Sequence, residues 1–222
     1  MQALAIIWAP IQTLERAAEE RRVLLGFGVV GLCSALGLLG SIILVLGGVT
    51  RAQLNQSQLD LPQDVIGNLI SAAEIGTIVL SATWFFASWI AISLLMQLTT
   101  RFFGGSGSFS AMLAVVGYSF MPLVLNGVLA LFIAAGQVAL DPGSTTSVAV
   151  GYLGTLIGYA FFFWQVALVV IGASFARRIG YGESAGSCAI SCAGCFGSII
   201  VIGIALAIVI PVILSAAGSG AQ

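Results

Sequence analysis

With 222 residues, 59% hydrophobic and 7% charged, and a net charge of −1, the chain falls far short of the roughly 25% charged residues a water-exposed surface carries, so the bilayer must be its solvent. It has no lysine and no basic run, which excludes the clustered cations needed to replace phosphate counterions and hence nucleic-acid binding. Histidine is also absent, removing the commonest imidazole ligand and the usual general base near neutral pH, so the composition argues against an enzyme, a cofactor or a metal site.

The first predicted element precedes any membrane span. Trp8 and Pro10 lead into residues 11–22, where Ile11, Leu14 and Ala18 share one helical face and Glu15, Glu19 and Arg22 another. That pattern predicts an interfacial amphipathic helix over residues 1–22, anchored on the membrane surface with Trp8 at headgroup depth.

Five uncharged stretches follow, each longer than the roughly 20 apolar residues needed to cross a bilayer. They predict an all-α, polytopic bundle over residues 23–217 with five spans, at about 23–49, 75–98, 109–140, 148–176 and 188–217, and a short tail at 218–222. The first span sets small residues four apart, at Gly31 and Ala35 and at Gly37 and Ser41, a spacing that lets a second backbone come close. In the polar connection after it, Val65 to Ala73 is predicted to lie on the outer surface, with Glu74 marking the edge of span two. Arg101-Phe-Phe-Gly104-Gly105-Ser106-Gly-Ser108-Phe109 is predicted as a tight turn in which Ser106 or Ser108 caps the third span. It has neither the lysine nor the spacing of a phosphate loop.

Proline inside a spanning helix cannot donate its hydrogen bond, so Pro122 in span three and Pro211 in span five are expected kinks. Gly151, Gly154 and Gly158 fall near one face of span four. Asn126 and Gln165 lie closest to mid-depth, where an unpartnered amide is costly, so they should face protein as polar glue between helices. A polar substrate site is the alternative reading of this pair. Cys188, Cys192 and Cys195 form one helical stripe, spread too widely to chelate a single ion, and read as small packing residues.

Arginine placement orients the bundle. Arg16, Arg21, Arg22, Arg101, Arg177 and Arg178 fall on the N-terminal side and on alternate connections, whereas Arg51 alone falls opposite. The positive-inside rule then puts the N-terminus in the cytoplasm and, after five crossings, the C-terminus outside.

The stretch from Arg101 to Pro122 also carries a resemblance: Gly104 and Gly105, then Ser108 and Phe109, then Gly117, Tyr118 and Ser119, then Pro122. With five spans, the Trp8-Ala-Pro10 start and a doubly basic turn after span four, the chain resembles the Yip family of Ypt/Rab-interacting membrane proteins. That resemblance implies a non-enzymatic membrane protein that scaffolds or organises partners. Eukaryotic members bind Rab GTPases in vesicle traffic through a long hydrophilic N-terminal region. Only about 22 residues precede the first span here, so the chain is similar to the short bacterial and archaeal form, which implies a prokaryotic plasma membrane. Expected partners are the lipid bilayer and other membrane proteins, self-association included. An accessory subunit of a larger membrane complex and a small-solute permease are the alternative functions.

Overall fold

The computed structural model describes residues 3–56, 63–141 and 144–193. Among them there is helix and connecting turn but no strand. A 3-10 turn at Ala3–Ile7 leads into α1 (Pro10–Glu20), followed by α2 (Val23–Leu46), α3 (Val49–Gln56), α4 (Gln63–Phe102), α5 (Phe109–Ser119), α6 (Met121–Ala139) and α7 (Thr145–Arg177). Residues 181–193 are helical as well.

Four stretches are long and apolar enough to cross a membrane: Val23–Leu46, Ile70–Phe102, Phe109–Ala139 and Thr145–Arg177. Their exposed surface is rich in large hydrophobic side chains, among them Leu24, Leu80, Phe132, Leu156 and Phe163, as lipid-facing helices require. The predicted fifth span, with Pro211 and Cys195, falls mostly outside the described residues.

α2 packs against α4, α5 and α6, and the small residues on its surface decide how closely. A Cβ placed on Gly37 would lie 3.0 Å from the Phe85 ring of α4. Backbone meets backbone where Gly26 lies against Gly117 of α5: a Cβ on Gly117 would stand 2.6 Å from the Gly26 Cα. Side chains reach across as well: Ser34 Oγ donates to the carbonyl of Ala82, and the Trp89 indole N–H donates to the carbonyl of Leu113 at 2.9 Å.

Two boundaries differ from the sequence-based expectation. Residues 65–73 belong to α4, one uninterrupted helix of 40 residues, and do not form a separate surface segment. Glu74 does not end the span, because Arg51 of α3 pairs with it at 3.3 Å and supplies the compensating charge. Span three is two helices that meet at Phe120, which caps α5 and opens α6. Pro122 has no N–H for the Tyr118 carbonyl, and the Phe120 N–H instead closes a tighter turn onto Gly117 at 3.2 Å. Proline therefore breaks the helix two residues ahead of itself, in the first turn of α6, where it is well tolerated.

The N-terminal helix packs on α5 and α7. Thr13, Leu14 and Ala17 are its buried residues, while Ile11, expected on the packed face, is half exposed. Charged residues Glu15, Arg16, Glu19 and Glu20 cover its outward side, and Trp8 projects with 86% of its surface exposed.

Candidate functional site

The Gly-rich connection between α4 and α5 is held by hydrogen bonds from three directions. At the end of α4 the Gly105 N–H donates to Thr100 O at 3.0 Å and the Gly104 N–H to Arg101 O at 3.1 Å, with Gly104 at φ +79°, a left-handed conformation that costs a glycine little. This pair of bonds is the Schellman termination of a helix. At the other end Ser108 caps α5, its hydroxyl accepting from the Ala111 N–H at 3.3 Å and lying 3.1 Å from Ser110 Oγ. Between them the Ser106 N–H donates to the carbonyl of Arg177 at 3.1 Å.

Arg177 closes the arrangement. Its Nε donates to Thr100 Oγ1 at 3.0 Å, while Nη1 and Nη2 donate to the carbonyls of Gly107 and Gly105. Only 2% of the residue is exposed. A planar guanidinium offers five N–H donors in a fixed fork, which is what two loop carbonyls and a hydroxyl require. Arg177 also lies at the C-terminal ends of α4 and α7, where the partial negative charge of exposed carbonyls offsets part of the cost of burying a cation. Close packing explains the glycines: a Cβ on Gly107 would overlap the Ala176 carbonyl, and one on Gly105 would lie 2.9 Å from Thr100 O and 3.0 Å from Arg177 Nε.

The other motif residues lie farther along α5 and α6. Gly117 meets Gly26, and Pro122 is buried in the first turn of α6. Tyr118 is 3% exposed, and its side chain lines a cleft of ≈ 110 Å³ against Ala5, Ala9, Gln12, Thr13, Arg16, Ala17 and Glu20 of the N-terminal segment. Phe102 (83% exposed), Phe103 and Phe109 point outward around the clasped loop.

A family model, the Yip1 domain, matches residues 4–203, nine-tenths of the chain and all of the clasp. The chain belongs to the Yip1 domain family. No curated protein and no solved structure matches it. In this Yip1 domain the first part of the resemblance motif builds the clasp: Gly104 terminates α4, Gly105 and its neighbour Gly107 admit Arg177, and Ser108 starts α5.

The remaining sequence candidates are distributed around the bundle. Arg16, Arg21, Arg22, Arg101 and Arg178 are exposed, so Arg177 differs from the rest of its group in being buried. Asn126 is half-buried against Gly158 of α7, and Gln165 is buried; among the described residues no hydrogen bond joins the two. A polar seam not anticipated from the sequence ties α6 to α7 instead: Gln137 Nε2 donates to Ser147 O at 3.3 Å, and Ser147 Oγ returns the bond to Gln137 O at 3.2 Å. Pro211 lies outside the described residues.

The importance of Arg177 carried a signal in the sequence. It continues the four-residue row Gln165, Val169, Ala173, which is buried throughout, whereas its neighbour Arg178 falls on an exposed face and adopts the left-handed cap of α7.

Proposed function

We propose that this Yip1 domain is a non-enzymatic, multi-pass membrane protein that organises membrane partners, its N-terminus and clasped loop facing the cytoplasm. The observation that carries the reading is the clasp. A buried arginine with three side-chain hydrogen bonds fixes a loop that could otherwise be mobile, and Phe102, Phe103 and Phe109 stand exposed around it. Rigid presentation of aromatic side chains lowers the ordering cost of binding, and aromatic residues are enriched in the cores of protein interfaces. Grouping of α1, the α4–α5 loop and the end of α7 on one side of the bundle supports the cytoplasmic assignment under the positive-inside rule.

A photo-crosslinking residue at Phe102 tests this in native membranes, with one at Tyr152, an exposed position in the first part of α7, as reference. The reading expects a discrete protein adduct, either a partner or a second copy, at Phe102 and lipid adducts alone at Tyr152. Lipid adducts alone at both positions would count against it.

A solute permease has less support. A polar pathway would draw on Asn126, Gln165, Tyr118 and Tyr159, yet Tyr159 faces the outside of the bundle, Asn126 rests on a glycine and Tyr118 lies against α1.

A further inference from the structure

We propose that the cleft between α1 and Tyr118 is a binding site for the headgroup of an amine-bearing, zwitterionic phospholipid. Tyr118 is the first observation. Its ring is almost wholly buried, yet it lines the cleft, and its hydroxyl has no hydrogen-bond partner among the described residues. The ring is the buried part, and a hydroxyl that opens to the cleft can both donate to and accept from a ligand there.

Charge chemistry narrows the ligand. The lining carries one cation, Arg16, and one anion, Glu20, one helical turn apart on α1, with the Gln12 amide a turn before Arg16 and Tyr118 contributed by α5; the Thr13 hydroxyl is already committed to the Ala9 carbonyl at 2.8 Å. A phosphodiester matches Arg16 and the phenol as donors, because charge-assisted bonds to phosphate are the strong ones. An ammonium three bonds away matches the Glu20 carboxylate as acceptor. Glu20 also pairs with Arg22 at 2.6 Å. A purely anionic headgroup leaves Glu20 facing a like charge, and choline has no N–H to donate, so a primary ammonium is the best fit. At ≈ 110 Å³ the cleft has room for a small headgroup.

The location favours a lipid over a soluble phosphoamine. Ala9 of the lining follows exposed Trp8 in the chain, and Glu20 lies three residues before α2, the first candidate span, in whose first turn Leu24 and Leu25 are exposed for acyl chains. The site binds a lipid and needs no catalytic step.

Native mass spectrometry of the purified full chain, released from nanodiscs of equimolar phosphatidylethanolamine, phosphatidylglycerol and phosphatidylcholine, tests the proposal. Tyr118→Phe keeps the buried ring and removes the hydroxyl; Arg16→Gln removes the cation from an exposed position. The expected result is a retained phosphatidylethanolamine adduct whose occupancy falls roughly ten-fold in either variant, the loss of one charge-assisted hydrogen bond, with thermal unfolding unchanged in Arg16→Gln. Equal retention of the three lipids, or an adduct indifferent to both substitutions, would overturn it. Free phosphoethanolamine is the second arm: binding of that compound without the lipid adduct would assign the cleft to a soluble ligand and likewise overturn the proposal.

Discussion

Arg177 shows how one side chain decides the shape of a connection. Six-residue Gly- and Ser-rich segments are normally loose, because glycine gives up more backbone freedom on ordering than any other residue. Here the guanidinium supplies three bonds to the segment and its neighbour Thr100, and the Arg177 carbonyl receives a fourth from Ser106. Replacing Arg177 with methionine should therefore destabilise the protein by about 3 kcal/mol or more, since several acceptors lose a charged donor at once. Lysine should recover less than half, because an ammonium cannot span the fork. Thermal unfolding in mild detergent measures both. A matched pair of glycines gives a second check: Gly107→Ala drives a methyl into the Ala176 carbonyl and should cost about 2 kcal/mol or more, whereas Gly28→Ala, with open space around it, should be neutral within about 0.5 kcal/mol. Equal effects of the two would show that the clasp is not closely packed.

Among the helices, the closest contacts involve glycine and the firmest polar ties involve backbone carbonyls. α6 lays Asn126 over Gly158 and Gln137 over Gly151, so the glycine face of α7 accommodates the amides of its partner. The Gln137–Ser147 reciprocal pair closes the turn that joins them. Interhelical bonds of this kind are typically worth about 0.6 to 1.7 kcal/mol, and Gln137→Leu should lose stability within that range. Asn126→Leu combined with Gln165→Leu tests the polar-glue role of the mid-helix amides. Undiminished thermal stability of that double variant would remove Asn126 and Gln165 from the set of residues that hold the bundle together.

The length and apolar character of the spans were legible from the sequence because lipid imposes a strict rule, that every backbone polar group be satisfied within the segment. Arginine grouping and the turn-and-cap chemistry of Gly104 and Ser108 were legible for the same reason: each follows from a local pattern. What the pattern missed depends on partners distant in sequence. Glu74 reads as a charged boundary until Arg51 is found beside it; Arg177 reads as a topology signal until the loop carbonyls 70 and more residues earlier close around it. Gly26 and Gly117 are unremarkable until α2 and α5 cross.

At the scale of the whole molecule, α1, the α4–α5 loop and the turn after α7 lie together, while the end of α2, Arg51 and the α6–α7 turn lie at the far end, where Gly47 approaches Val138. The expectation of a fifth crossing over residues 188–217 predicts that reporter tags on the two termini read opposite compartments. The most direct test of the account is the accessibility of single cysteines, in a background with Cys33, Cys188, Cys192 and Cys195 replaced, to a membrane-impermeant maleimide in intact and in lysed cells. Substitutions at Glu19, Ser106 and Gly182 should label only after lysis, and one at Asp141 in both. Labelling of Ser106→Cys and Asp141→Cys alike in intact cells, or separation of Glu19→Cys from Ser106→Cys, would contradict the arrangement of the spans and with it the cytoplasmic clasp.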